Sequence, residues 1–373
     1  MGIEIREVLN AADRKQFVNV QFKVYKGNPY WVPPIKSDEI KSLEPEYNPA
    51  FRFCKAKFWL AFQNMECVGR IGAIINEKYN EKMGASIGRI SRIEFVDQEK
   101  VSDSLFKTAE QWLKSQGMTE VQGPLGFTNL DTQGLLIEGF DHLQSVASVY
   151  HLPYYKDHFQ RLGYEKEIDW LEFRLTMEGV PEKAAKLADL IRQRYNLKTL
   201  SFTRSKDLIP NGPRIFKLLN SAFEDLFSVT AFDDTMIEYY SNKYFKIINP
   251  NYVKLIETKD GELVGFIICV PSLSKAMQKA NGSLFPFGFI PLMKALKHPE
   301  EMDIFLTAVD PKMQGTGVPA LLINEIHQTI HANHIKFVET TGIFETNHKA
   351  IQHWKNYDHI QHKRRRCYKK SLL

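Results

Sequence analysis

The chain has 373 residues, 43% of them apolar and 25% charged, the balance of an ordinary soluble globular protein; disorder and fibrous repeats are excluded, and roughly 150 residues per domain suggests two domains. The net charge of +5 gathers at one end, where Lys363, Arg364, Arg365, Arg366, Lys369 and Lys370 carry six positive charges. The remainder is close to neutral, so no nucleic-acid surface is expected, and the basic run reads as a solvated strand face, or functionally as a contact for phosphate or acidic lipid. No apolar run approaches the roughly eighteen residues of a spanning helix, and residues 1–6 carry neither a signal peptide nor a myristoylation pattern, so a cytoplasmic protein without a transmembrane segment is expected. Cys54, Cys67, Cys269 and Cys367 form no C-x-x-C pair, which points to buried thiols rather than disulfides or a zinc site, and no metal is expected.

Taken along the chain, residues 58–62 and 68–75 form the first strong strand pair, around the polar turn at 63–66. A strand at 119–122 leads into Gly123-Pro124-Leu125-Gly126-Phe127, whose proline and glycines suit a defined turn. Residues 168–175 alternate like a closing strand, and an amphipathic helix runs from Pro181 toward Arg194. A weaker strand follows at 198–203. A second hairpin, 253–257 with 263–268, turns on Asp260-Gly261. The Val-Gly pairs 68-69 and 264-265 lie 196 residues apart, and the similar stretches beginning at His158 and His353 lie 195 apart. A near-constant offset indicates an internal duplication, with the copies divided as 1–180 and 181–373.

Between hairpin and next strand the second half carries an apolar segment, residues 284–293, with Leu284, Phe285, Phe287, Phe289, Ile290, Leu292 and Met293. Pro286, Gly288 and Pro291 argue against one continuous helix, and Gly288 offers a flexible point. Three readings stay open: a loop or flap over a pocket, with Phe287 and Phe289 lining it beside Phe127; an interfacial patch touching membrane; or a core plug between the halves.

The most specific feature is the strand 304–309, running through Ala308 and Val309 into Gln314-Gly315-Thr316-Gly317-Val318 and then a helix with Val318, Leu322, Ile326 and Ile330 on one face. Glycines let backbone approach a ligand, and open amides at a helix start favour an anion, so the loop suits a pyrophosphate. Gly315 to Ala320 formally satisfies G-x-G-x-x-A with Glu339 as a ribose-binding acid, but only 56 residues follow Gly317, too few for the remaining units of a dinucleotide fold. The same residues resemble the acyl-CoA loop of the GNAT N-acyltransferases, Q/R-x-x-G-x-G/A, with Gln314 and Gly317 in the first two fixed positions and Pro319 in place of the last small residue. The strand 335–341 and Asn347-His348-Lys349-Ala350 then resemble the family's second motif, an Asn with an Ala three residues on.

The resemblance implies an α+β fold of two tandem GNAT-like domains, each a mixed, mostly antiparallel twisted sheet flanked by helices, as in a group of bacterial tandem proteins. The first copy is degenerate, because residues 96–103 stand where its glycine loop should be. It implies an N-acyltransferase using acetyl-CoA or another acyl-CoA as co-substrate, held by Ala308, Val309, Gln314, Gly315, Thr316, Gly317, Val318 and Asn347, with direct attack by an amine. Glu339 is the candidate base. The family's tyrosine falls at Trp354, whose indole is no acid, which leaves Tyr357 as candidate acid. Three functions remain open: short-acyl transfer to a small-molecule primary amine, long-chain transfer to a lipid-like amine with peripheral membrane contact, and a non-catalytic module binding CoA or a partner.

Overall fold

The computed structural model describes residues 2–177, 179, 182–244, 248–354 and 357–373. The first half contains β1 (Glu4–Glu7), α1 (Ala11–Val24), α2 (Lys36–Ser42), β2 (Cys54–Gln63), β3 (Glu66–Asn76), α3 (Glu77–Met83), β4 (Ile87–Phe95), α4 (Glu99–Ser115), β5 (Glu120–Gly123), β6 (Leu135–Glu138), α5 (Tyr154–Arg161) and β7 (Glu165–Thr176). The second contains α6 (Glu182–Arg194), β8 (Leu197–Ser201), α7 (Ser205–Leu208), α8 (Gly212–Phe223), α9 (Asp234–Tyr244), β9 (Val253–Thr258), β10 (Leu263–Pro271), α10 (Ser274–Ala280), α11 (Phe289–Lys297), β11 (Glu301–Val309), α12 (Val318–Ala332), β12 (Phe337–Thr340), β13 (Ile343–Phe344), α13 (His348–His353) and β14 (His359–Ser371).

By contact the chain forms two units: residues 1–171 with 274–292 and 363–373, and residues 172–273 with 293–362. In the first, β1 to β4 pair antiparallel in order, β4 pairs β5 in parallel, and residues 368–371 of β14 close β5 antiparallel. In the second, β8 to β11 pair antiparallel in order, β11 pairs β12 in parallel, and residues 174–176 of β7 close β12 antiparallel. The same succession of pairings occurs twice, as the offset in the sequence suggested.

The matched Val-Gly pairs have a packing reason. A Cβ on Gly69 would lie 2.8 Å from Leu105 Cδ1 of α4, and one on Gly265 would lie 3.0 Å from Val318 Cγ1 of α12. In each unit the helix that joins the two parallel strands rests on the hairpin at a residue without a side chain. The core around α4 gathers Trp59, Ile71, Phe95, Leu105, Phe106 and Phe159, all buried.

Two expectations are corrected. The basic run is not a solvated face: Lys363 and Arg365 are buried, with Lys363 Nζ donating to the Leu143 carbonyl at 2.6 Å and the Arg365 guanidinium to that of Gln133. Arg366 and Arg364 clasp Asp169; burial alone would raise that carboxyl, but their hydrogen bonds outweigh it and hold it low. Its stabilisation is therefore present above the ordinary value of 3.8 and is lost in stronger acid. The apolar segment is not a core plug either. Residues 284–288 form a turn and α11 starts at Phe289, Pro291 standing in the first turn where no amide is needed, and no residue of α11 is buried. Gly288 serves close packing rather than flexibility, since a Cβ there would collide with the Ser283 carbonyl oxygen.

The thiols of Cys54, Cys269 and Cys367 are buried and free, and burial pushes Cys54 up to about 12. Among the described residues no group of His, Cys, Asp and Glu could hold a metal, and no helix is long and apolar enough to cross a membrane.

The closing strand makes a stability prediction. Tyr368 is buried opposite Gly123, with its ring 4.9 Å from that of Phe159. Tyr368→Ala is expected to lower stability by about 3–5 kcal/mol, read from urea unfolding.

Candidate functional site

The site is built in the second unit, where β11 outruns its parallel partner. Pairing of β11 with β12 ends at Ile304 and Thr340, and β11 continues to Val309 paired on its other side with β10, so that Ala308 faces Phe266 and Val309 faces Gly265. The two parallel strands splay beyond Ile304, leaving one edge of β11 open. Thr307 lies on this stretch with a buried hydroxyl that finds no partner among the described residues.

Past Val309 the chain makes a short 3-10 turn, Pro311–Met313, and an exposed glycine loop before α12. Gly315 and Gly317 hold φ of 78° and 93°, values that favour glycine. A Cβ on Gly315 would meet nothing, whereas one on Gly317 would lie 2.5 Å from Ile191 Cδ1 of α6. Gly317 therefore lets the loop seat on α6, while Gly315 leaves backbone open outward. No side chain caps α12, and among the described residues the amides of Gly315, Gly317 and Val318 have no acceptor. Three open donors at the positive end of a fifteen-residue helix, with Lys312 on the same turn, make a site for an anion. Gln314, Gly315, Thr316, Gly317 and Val318 make up this loop and the helix start.

The remaining named residues stand in different settings. Glu339 is buried on β12 opposite Asp303, and its Oε1 accepts from both Nε and Nη2 of Arg174 on the adjoining β7. Asn347 caps α13 by accepting from the Ala350 amide at 3.1 Å. Tyr357 is partly buried with its ring 5.4 Å from that of His327, and burial pushes its phenol up to about 12. Burial lowers His327, with His331 adding to the effect, so its imidazole is neutral at pH 7. Phe127, Phe287 and Phe289 belong to the first unit. Phe127 is fully buried against Phe51, with ring centres 4.9 Å apart, and fills the interior; Phe287 and Phe289 are exposed.

The corresponding place in the first unit is closed. Beyond the β4–β5 pairing, the Leu125 amide donates to the Ile90 carbonyl and Arg89 reaches the carbonyls of Gly126 and Phe127, so residues 124–127 fill the splay. Helix α4 starts with Glu99 in its first turn, which already occupies its positive end. Ser102, His158 and Asp97 form a hydrogen-bonded chain at 2.8 and 2.9 Å. Its hydroxyl is buried and donates to the Glu99 carbonyl, so Ser102 staples the helix start rather than presenting a nucleophile. The sequence reading missed Arg174, which has no local signal because its partner lies 165 residues away.

A sheet of this order, splayed between two parallel strands and roofed by a helix that leaves a glycine loop, is the fold of the GCN5-related N-acetyltransferases, present here in tandem. A tandem GNAT protein from the clavulanic acid biosynthesis pathway aligns over 100% of this chain and 99% of its own, with TM-score 0.55 and 12% identity. A GCN5-related N-acetyltransferase from Sphaerobacter thermophilus aligns over 99% and 96%, with TM-score 0.55 and 12% identity. In sequence the chain is 28% identical over 376 residues to Protein YghO of Escherichia coli K12, covering 99% of this chain and 95% of that protein. It is 25% identical over 382 residues to the bacterial ceramide synthase of Caulobacter vibrioides, covering 99% and 98%. No family model matches.

The raised phenol gives an alkaline signature. The unfolded chain releases the Tyr357 proton near pH 10 while the folded chain keeps it to about 12, so this residue lowers stability as pH rises between those values. Urea unfolding from pH 9 to 11 is expected to show wild type losing stability faster than Tyr357→Phe; equal slopes would place the phenol in water.

Proposed function

We propose that the chain is an acyl-CoA-dependent N-acyltransferase with one acyl-CoA site, carried by the copy at 181–373, the copy at 1–180 being degenerate. The observation that carries this reading is the set of open amides at Gly315, Gly317 and Val318 beside the splay of β11 and β12. Their charge and spacing suit the pyrophosphate of CoA, and the open edge of β11 toward Val309 suits the amide-bearing arm that follows it. The acyl-CoA supplies an activated thioester. A neutral primary amine attacks its carbonyl carbon, the carbon–nitrogen bond forms as the carbon–sulfur bond breaks, and CoA leaves as thiolate. Tyr357, neutral across the working range, is assigned as proton donor to that thiolate. Glu339 is assigned to holding Arg174 rather than to the base, since its Oε1 already accepts from both Nε and Nη2 of that guanidinium; the amine then loses its proton to water.

A second reading, long-chain transfer to a lipid-like amine, is favoured over short-acyl transfer by the likeness to a protein named a ceramide synthase. Thiol release from acetyl-CoA and from long-chain acyl-CoA, each with short amines and with long-chain amino alcohols, separates the two. Binding without thiol release in any combination would leave a CoA-binding module.

Calorimetry is expected to give one CoA per chain, with binding abolished by Gly317→Glu; two equivalent sites, or unaltered binding in the variant, would overturn the assignment. Tyr357→Phe is expected to lower kcat by roughly 10²-fold at nearly constant KM. Glu339→Gln should lower stability by about 1–3 kcal/mol, since Arg174 is partly exposed, with kcat nearly unchanged; a large fall in kcat at unaltered stability would restore Glu339 as the base.

A further inference from the structure

The segment between β10 and β11 is anchored at its start and bare beyond. Gln278 Nε2 donates to the carbonyls of Pro29 and Trp31 at 2.8 and 3.0 Å, Gly282 packs under the Phe22 ring, and the Gly282 carbonyl accepts from the Lys36 amide at 3.0 Å. After this anchor Phe285, Phe287, Phe289, Ile290 and Met293 are 78%, 72%, 42%, 52% and 48% exposed. The turn is fixed rather than loose: the Phe289 amide donates to the Leu284 carbonyl at 2.8 Å, and the Ile290 amide to that of Phe287 at 3.1 Å. Large apolar side chains held outward on a braced turn are a surface that water disfavours.

The charges around it select what covers it. From Ser272 to Pro299 the chain has four lysines, Lys275, Lys279, Lys294 and Lys297, and no carboxylate; Glu300 and Glu301 follow, the Ser272 amide donating to the Glu301 carbonyl at 2.9 Å. All four are exposed, two before the aromatic turn and two at the end of α11. A second copy of the chain would set lysines against lysines, and a neutral protein surface would gain nothing from them. An anionic bilayer accepts both features, with apolar side chains at the depth of the acyl boundary and ammonium groups among the lipid phosphates. We propose that this segment docks the protein peripherally on an anionic membrane surface, with Phe285, Phe287, Phe289 and Ile290 inserted and Lys279, Lys294 and Lys297 on the headgroups. The inference rests on exposure and charge and does not depend on the acyl donor or acceptor.

The test is flotation of the full chain with phosphatidylcholine vesicles, with and without phosphatidylglycerol. Binding is expected only to the anionic vesicles, reduced about fivefold per lysine by Lys294→Gln and Lys297→Gln and likewise weakened by salt. Phe285→Ser combined with Phe287→Ser should abolish it at an unchanged melting temperature, since both rings are exposed. Should that variant melt lower, Phe287→Trp in the otherwise native chain reads the same contact, with indole fluorescence shifting blue on anionic vesicles. Absence of binding to anionic vesicles, binding unaltered in the lysine and phenylalanine variants, or no blue shift overturns the proposal. So does a dimer, seen by light scattering, that dissociates on Phe287→Ser while the chain ignores vesicles.

Discussion

A parallel strand at the end of a splayed sheet exposes a row of unpaired backbone groups, and in this chain both such strands are closed from the far half of the sequence. Residues 368–371 pair β5, and residues 174–176 pair β12. Without these strands each unit would present an open edge, a template for aggregation. Neither half can complete its sheet alone, because 1–180 lacks the strand that closes β5 and 181–373 lacks the one that closes β12. The same exchange explains the buried charges of β14: Lys363 and Arg365 end in backbone carbonyls of the first unit, and Asp169 answers Arg364 and Arg366. Ions so buried must be partnered, which ties the C-terminal strand to one register.

Duplication supplied two copies of one set of pairings, and two local changes separate what they can do. In the first copy the backbone after β5 turns inward and places Leu125 and Phe127 in the splay, with Arg89 bound to the turn. The helix of that copy starts on an acid. In the second copy the splay is open, and the helix starts on a glycine loop with its donors outward. Glu99 thus offsets the positive end of one helix, while the other helix has no acid in its first turn. The asymmetry is electrostatic and steric, and it needs no difference in the strand order.

The second copy also sets its polar groups in different surroundings. The Arg174 and Glu339 pair fixes β7 to β12 below the point where the parallel strands part. Asn347 spends its side chain on a helix start. Tyr357 lies with its ring beside that of His327, and burial keeps its proton. Beyond these, the braced aromatic turn after α10 carries apolar surface that the folded chain leaves uncovered.

The sequence by itself determined whatever depends on neighbours along the chain. Both hairpins, the Val-Gly pairs, the glycine loop and the helix it opens were legible from period and turn chemistry, because each element forms its own hydrogen bonds within a short span. The duplication was legible from a constant offset. Tertiary structure alone decided whatever depends on which distant strand becomes a neighbour. The basic run at 363–370 reads as solvated until Lys363 and Arg365 are found bound to the carbonyls of Leu143 and Gln133, and nothing local pairs Glu339 with Arg174, 165 residues earlier. Phe127 and Phe287 look alike as aromatic residues in turns, yet one is fully buried and the other exposed. Burial and partnership are properties of the folded neighbourhood, and local sequence carries no term for them.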